Sequence, residues 1–100
     1  MKLGILVNTK DHPAAITGLV RSASAKGHAV TLFVMDEGTR LLEEIDFVSL
    51  IDLSGVAMSY CDHSAKQLHV HTEELPAAIE RSSQYSNAAM NNNADKVIVL

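Results

Sequence analysis

Four short apolar runs, rich in β-branched residues and separated by polar segments, constrain the fold of this 100-residue chain most strongly. They occupy residues 3–7, 29–35, 56–60 and 96–100. Runs of this length, apolar on both faces, are typical of strands that are covered by helices on each side of a parallel sheet. The chain is therefore predicted to be an α/β protein in which a parallel sheet is flanked by helices.

The segment between the first two runs has the clearest helical pattern. Asp11 is a plausible N-cap, Pro13 suits the first helical turn, and Gly27 suits a C-terminal stop. Apolar residues recur between them at helical spacing, namely Ala15, Ile16, Leu19, Val20 and Ala23. Strand, helix and strand in this order predict a right-handed βαβ unit.

The later segments carry weaker patterns. Residues 36–38 are predicted to be a loop, and residues 39–44 and 45–53 to be helical. After the third strand a short helix runs through Leu68, residues 69–72 are a loop or extended, and residues 73–81 are undecided. A last helix carries Tyr85 and is capped by Ser82 or Ser83. The final apolar run is predicted to be a buried strand.

The composition describes a single domain over residues 1–100 with an aliphatic core. Hydrophobic residues make up 47% of the chain, whereas aromatic residues make up only 4%. Because small proteins with light cores often gain stability by assembling, we expect a homo-oligomer. The single cysteine cannot form an internal disulfide, which favours a soluble protein of the reducing cytoplasm.

Several functional classes lack support in the sequence. The formal net charge is −4 with no basic run, so nucleic acid is not an expected partner. No stretch approaches the roughly 18 apolar residues that would cross a membrane. The glycines match neither G-x-G-x-x-G nor a P-loop, and no serine lies in a G-x-S-x-G elbow, so we expect neither a nucleotide cofactor nor a serine triad.

Polar residues follow each of the first three predicted strands. They are residues 8–12 after the first strand, Asp36 and Glu37 after the second, and Cys61, Asp62 and His63 after the third. Parallel α/β sheets bind ligands at the carboxyl ends of their strands. These residues are therefore the candidate functional edge of the sheet.

Cys61 is the candidate catalytic residue because it lies where a strand ends and a helix begins. The partial positive charge of a helix N-terminus stabilises a thiolate, which is the reactive form of cysteine. The alternative is a small buried hydrophobe, since free cysteine is among the most buried residue types. Position alone leaves both interpretations open.

Four residues are candidates for supporting roles around Cys61. His12 could donate a proton, and His63 could keep the local field positive, although both are also typical of solvated loops. Asp36 and Asp62 stand at the same predicted edge. A metal site formed by Cys61, His63, His69 and His71 is a further alternative, but no Cys-x-x-Cys pair supports it and no metal is predicted.

Three segments give the chain its resemblance to a known family. The first is Lys26-Gly27-His28-Ala29-Val30-Thr31-Leu32-Phe33 followed by Met35-Asp36-Glu37-Gly38, the second is the strand and cysteine over 56–64, and the third is Ser82-Ser83-Gln84-Tyr85 leading to 94–99. In this order and combination they resemble the DsrE family of small sulfur-relay proteins, and together they cover most of the chain.

The resemblance implies a flavodoxin-like, five-stranded parallel sheet with helices on both faces, assembled into dimers, trimers or hexamers. It also implies that Cys61 matches the sulfur-accepting cysteine of the family, which makes the chain a sulfurtransferase-type persulfide carrier. Its thiolate would take sulfane sulfur from a donor protein and pass it to an acceptor protein. The alternative is a non-catalytic oligomeric module of the same fold that binds a small ligand or a protein, in which Cys61 only packs.

Overall fold

The structure is a computed structural model that describes residues 1–100. Five strands form one sheet, and every strand is parallel to its neighbours: β1 (Lys2–Val7), β2 (Ala29–Val34), β3 (Val56–Cys61), β4 (Ile79–Ser82) and β5 (Lys96–Val99). The helices are α1 (Pro13–Ala25), α2 (Ile45–Val48), α3 (Asp62–Gln67) and α4 (Gln84–Asn93), with 3-10 helices over Asp36–Glu43 and Ser49–Asp52. The predicted parallel α/β fold is confirmed.

The direction in which the chain crosses the sheet determines where its helices lie. The strand order is β4-β3-β2-β1-β5, so the chain moves one way from β1 to β4 and then returns past β1 to β5. Right-handed crossovers in one direction all lie on one face of the sheet, and a crossover in the opposite direction lies on the other. We call the face covered by α1, α2 and α3 the thick face, and the face covered by α4 alone the thin face.

The thick face holds most of the hydrophobic core. Alternate residues of β1, β2 and β3, such as Ile5, Leu32 and Met58, join an 18-residue buried cluster with side chains from the covering helices. The thin face has a cluster of only three buried residues, which are Phe33, Cys61 and Met90. Because each fully buried aliphatic side chain contributes about 1.5–3 kcal/mol, packing on the thick face dominates stability.

Helix α1 follows its sequence pattern closely. Ile16, Val20 and Ala23 are buried against the sheet, as predicted, whereas Ala15 is exposed. The N-cap is His12 rather than the predicted Asp11, and it makes no side-chain capping bond. Gly27 ends the helix as expected, because its φ of 82° is a left-handed conformation that suits glycine.

The connection from β2 to β3 becomes helical directly after Met35. The predicted loop over 36–38 is wrong, since these residues open the 3-10 helix Asp36–Glu43. The first turn of that helix is closed by the Gly38 N–H, which donates to the Met35 carbonyl three residues earlier at 2.9 Å. The helix predicted over 45–53 is present as α2 and the second 3-10 helix.

The two edge strands differ most from expectation. β4 lies mainly in the segment that the sequence left undecided. Its apolar pattern is weak, because only Ile79 is buried while Glu80 and Arg81 are exposed. β5 is a strand as predicted, but the prediction that it is buried is wrong. It pairs with β1 alone, and Ile98 and Val99 are 36% and 57% exposed.

None of the helices has the length and apolar character that crossing a membrane would require.

We expect Gly38→Ala to destabilise the protein because the 3-10 helix packs directly on the end of β1. A Cβ atom at this position would lie 2.3 Å from the Val7 carbonyl oxygen, so the backbone must move. The expected loss is about 1–3 kcal/mol in the free energy of unfolding, measured by urea denaturation. Gly18→Ala is the matched control, since nothing lies within 4 Å of its Cβ. It should stabilise α1 by about 0.5–1 kcal/mol, and equal effects of both substitutions would contradict the packing described here.

Candidate functional site

Cys61 is the last residue of β3, and its side chain lies on the thin face. Tyr60 belongs to the thick-face core, and successive side chains of a strand point to opposite faces. Cys61 packs in one cluster with Phe33 and Met90 and is 5% exposed. In the parallel register it is paired with Ser82 of β4, so these two side chains are neighbours on the same face.

A cleft of about 430 Å³ opens beside Cys61 at the carboxyl ends of β2, β3 and β4. Three chain segments contribute to its lining, which comprises Met35, Asp36, Cys61, His63, Ser64, Ser82, Ser83, Gln84 and Tyr85. The cleft therefore lies at the edge of the sheet that the sequence indicated, around the single cysteine.

Asp36 forms the β2 side of the cleft in an uncommon backbone conformation. Its φ is 49°, in the left-handed region that few residues other than glycine, asparagine and aspartate adopt. The buried Thr39 hydroxyl donates to the Asp36 carbonyl at 2.8 Å and fixes this turn. The chain is thereby turned sharply from β2 into the 3-10 helix, next to the end of β3.

Helix α3 begins directly at the cysteine. Cys61 is its N-cap, with φ −78° and ψ 111°, and its side chain makes no capping hydrogen bond. The first backbone N–H groups of a helix have no intrahelical acceptor, so they are free to donate to a group beside Cys61. Asp62 forms an ion pair with Lys66 at 2.9 Å along α3, and it is not among the residues that line the cleft.

The start of α4 forms the opposite wall. Ser83 is its N-cap and accepts a hydrogen bond from the Tyr85 N–H at 3.3 Å, which confirms the predicted cap. Gln84 Nε2 donates to Met35 Sδ at 3.5 Å across the cleft, and the Ser82 and Ser86 hydroxyl groups bond to each other. Tyr85 is 80% exposed. This wall is therefore polar, with one exposed aromatic ring.

The cleft has little fixed charge. Asp36 is the one acidic residue in its lining, which contains no lysine or arginine. His63 is the one lining side chain that can become cationic. Donors to an anionic sulfur at this position are therefore backbone N–H groups, hydroxyl groups and the imidazole.

The structure brings together some of the predicted residues and separates others. Asp36, Cys61 and His63 line one cleft, whereas His12 and Asp62 do not. His12 follows β1, and β2 lies between β1 and β3, so about 10 Å of sheet separates the two strand ends. His12 instead accepts the Ile16 N–H through its carbonyl at the start of α1.

The four residues of the alternative metal site do not lie close together in the structure. His69 and His71 are exposed in the loop after α3, while Cys61 is buried on the thin face. No three His, Cys, Asp or Glu side chains of the chain are arranged to hold a metal ion.

Six cleft residues were absent from the sequence-based candidates, namely Met35, Ser64, Ser82, Ser83, Gln84 and Tyr85. Ser82 was missed because β4 was undecided, and its register with Cys61 follows only from the strand order. Met35 was assigned to β2, and Gln84 and Tyr85 to the last helix, with no signal that connected them to Cys61. The tyrosine beside the capping serine is the one feature that could have suggested an exposed helix start.

The cleft lies where the connections that leave two adjacent strands run to opposite faces of the sheet. The chain passes from β3 into α3 on the thick face and from β4 into α4 on the thin face. Such a divergence at the carboxyl edge is where open α/β sheets commonly bind ligands. At the ends of β1 and β5, by contrast, the Thr9 hydroxyl donates to the Leu100 carbonyl at 2.9 Å and joins the two strands.

The parallel sheet, its strand order and the cysteine at the end of β3 together define a small α/β protein with a thiol at its carboxyl edge. The DsrE/DsrF-like family model matches residues 1–100, and the chain belongs to this family.

Two solved structures have similar folds. The crystal structure of the ychN protein from E. coli is 15% identical in sequence, with a TM-score of 0.71, and the match covers 99% of this chain and 97% of that one. The MTH1491 protein of unknown function from Methanobacterium thermoautotrophicum is 13% identical, with a TM-score of 0.77 and coverage of 99% and 98%. At these identities the likeness concerns the fold. No curated protein matches the chain.

We expect Met90→Ala to expose the Cys61 thiol, because Met90 is the one buried residue of α4 and shares a cluster with the cysteine. The rate of native-state alkylation should rise at least about tenfold, since a loss of 1.4 kcal/mol in local stability multiplies the open population by ten. Val20→Ala is the matched control, as it weakens the thick-face core instead. An equal acceleration in both variants would mean that the thiol reacts only after global unfolding.

Proposed function

We propose that this chain is a sulfur-relay protein that carries sulfane sulfur as a persulfide on Cys61. The observation that carries the proposal is the position of the single cysteine, which caps α3 at the carboxyl edge of the sheet and lines an open cleft. Membership of the DsrE/DsrF-like family supports the proposal. A relay needs one thiol that can be loaded and unloaded, and one cysteine is sufficient for that.

The transfer is a thiol exchange that needs no external oxidant. The Cys61 thiolate attacks the outer sulfur of a donor persulfide, R–S–SH, and forms a new sulfur–sulfur bond. The donor sulfur–sulfur bond breaks, its electron pair leaves with the inner sulfur as R–S⁻, and Cys61 becomes Cys–S–SH. An acceptor thiolate then attacks the outer sulfur of that persulfide and regenerates the Cys61 thiolate.

The neighbours of Cys61 have separate roles in this proposal. Backbone N–H groups at the start of α3 and the hydroxyl of Ser82 donate to the sulfur anion, and His63 supplies or removes the proton. Asp36 closes the β2 side of the cleft and orients the incoming group. Because no lysine or arginine is present to bind a small anion, the favoured partners are donor and acceptor proteins that present a thiol in a reducing compartment such as the cytoplasm.

A second candidate is a binding module of the same fold in which Cys61 only packs. The observation in its favour is burial, since Cys61 is 5% exposed and clusters with Phe33 and Met90. Alkylation of the folded protein separates the two candidates. A thiol that reacts only after global unfolding favours the packing role, whereas a thiol that reacts in the native state favours the carrier.

Cys61→Ser should abolish sulfur loading and leave the fold intact, because serine keeps the size of the side chain but cannot form a persulfide. The measurement is intact-protein mass after brief incubation with a sulfane-sulfur donor, with circular dichroism as the check on folding. The native protein should gain one sulfur and the variant none. Ser49→Ala, which removes an exposed hydroxyl bonded to the Asp46 carbonyl, is the control and should load normally. Sulfur bound by the Cys61→Ser variant would contradict the assignment.

We also propose that the chain forms a homo-oligomer through its thin face. Helix α4 covers only part of that face, and a groove beside it is lined by small or polar residues of the sheet, including Ala29, Thr31 and Ala57. A second copy would cover this groove. The cleft beside Cys61, at the strand ends, would stay open to other partners. The light aromatic content and the family resemblance support assembly.

Ala57→Arg should reduce the oligomer to monomers. In the proposed interface the thin faces of two copies pack against each other, and a long cationic side chain at residue 57 would keep them apart. The measurement is molecular mass by light scattering at micromolar concentration. Ala14→Arg is the matched control on the exposed side of α1 and should keep the native mass. A monomeric native protein, or an oligomer that both variants leave unchanged, would contradict this interface.

A further inference from the structure

A second concave surface lies away from the cysteine cleft and shares no residue with it. It is a groove of about 550 Å³ between the start of α2 and the loop that follows α3. Leu42, Ile45, Val48 and Leu75 form its apolar floor. We call this surface the acidic groove, because four glutamates surround that floor and His71 is the one other titratable residue in the lining.

The floor of the acidic groove includes the most exposed large apolar side chain of the protein. Ile45, the first residue of α2, is 82% exposed. Val48 and Leu75 are partly buried and pack against the main core, so the floor is continuous with the hydrophobic interior. Covering an isoleucine this exposed is favourable, because it removes a large apolar surface from water.

Four glutamates surround the floor, on both sides of the groove. Glu43 and Glu44 precede α2, and Glu73 and Glu74 lie in the loop opposite, all of them exposed. They are a third of the 12 acidic residues of the chain, and no lysine or arginine lines the groove. The ion pairs of lysine and arginine are formed with Glu37 and Asp62, and of the four glutamates only Glu73 has an ion-pair partner, the exposed His71 imidazole at 3.9 Å.

The two sides of the groove are held in place before any partner binds. The Glu43 carboxylate accepts the His71 backbone N–H at 3.3 Å, which ties the end of the 3-10 helix to the loop. The loop is closed by a turn in which the Leu75 N–H donates to the Thr72 carbonyl at 3.3 Å. A groove that already has its shape costs less conformational entropy to occupy.

From this combination we propose that the acidic groove docks a basic amphipathic segment of another protein. The apolar residues of the segment cover Ile45 and Leu75, and its lysines or arginines pair with the glutamates. A single cation fits poorly, because no three of these carboxylates converge to hold a metal ion. Charges spread along two rims match cationic side chains that are spaced along a polypeptide.

The charge of the chain favours a partner protein over a second copy or a nucleic acid. With a formal net charge of −4, another copy would bring mainly charge of the same sign to the groove. Nucleic acids and anionic membranes are repelled for the same reason. The thin face, by contrast, has no such acidic rim, so the two surfaces are suited to different partners.

The probe for this proposal is a fluorescein-labelled synthetic peptide with leucines at helical spacing and lysines at the other positions. A second peptide with glutamate in place of every lysine reports binding that does not depend on charge. We expect anisotropy measurements to show saturable binding of the lysine peptide, weakened by added salt, and none of the glutamate peptide. No saturable binding of the lysine peptide at up to millimolar protein would overturn the proposal.

Two matched pairs of variants locate the binding surface. Changing Glu44, Glu73 and Glu74 to Gln should weaken binding about tenfold, because three weak, exposed charge pairs with the peptide are lost together. Changing Asp11 and Asp52 to Asn and Glu80 to Gln alters the net charge equally but leaves the groove unchanged, and it should have little effect. Equal weakening by both triple variants would overturn the proposal, because it would indicate non-specific attraction.

The second pair tests the apolar floor. Ile45→Ser should weaken peptide binding at least about tenfold, since the floor loses its largest exposed apolar side chain. Val99→Ser is the control, because Val99 is also an exposed apolar residue but lies on the β5 edge. Unchanged binding by Ile45→Ser would overturn the proposal. A change in the oligomeric mass of Ile45→Ser would also overturn it, by showing that a second copy covers the groove.

Discussion

The handedness of the crossover connections is the constraint on which the rest of this structure depends. Three crossovers in one direction put α1, α2 and α3 on the same face, and the single return crossover puts α4 on the other. The core is therefore unequal, with an 18-residue cluster on one side and a three-residue cluster on the other. Cys61 is on the weaker side because β3 ends there with its last side chain turned away from the main core. Stability and chemistry are thus separated by the sheet itself.

The cleft beside Cys61 has little fixed charge, which matches the sulfur-relay function proposed for it. Cys61 is surrounded by hydroxyl groups, a histidine and the backbone of a helix start, and the one carboxylate is held by the unusual turn at Asp36. Neutral donors of this kind would stabilise a sulfur anion without holding it permanently, as the proposed carrier role requires. The acidic groove provides the opposite character, with fixed charge and an exposed apolar floor. The two concave surfaces therefore differ in charge and share no residue, so the two proposed functions would not compete for the same surface.

Local patterns predicted the elements well where burial was one-sided or complete. Residues of α1, β1, β2 and β3 pack in the main core, so their burial is visible in the sequence as a helical period or as an apolar run. β4 could not be recognised, since an edge strand with Glu80 and Arg81 needs little apolar sequence. β5 was predicted to be buried because β-branched residues indicate a strand but not its place in the sheet. For the same reason Asp36 and Cys61 meet in one cleft while His12 stays outside, as strand order decides which strand ends are neighbours.

The pairing of the first strand with the last has a consequence for how the chain folds during synthesis. β1 pairs with β2 on one edge, and its other edge pairs with β5, in a register that joins Leu3 to Lys96. The buried members of the thick-face cluster extend only as far as Ile79, with Leu100 partly buried against them, so most of this core can collapse while β5 is still on the ribosome. Until β5 arrives, β1 presents an unpaired edge that other chains can bind. The nascent protein is most exposed to aggregation in that interval, and the pairing of β5 with β1 ends it.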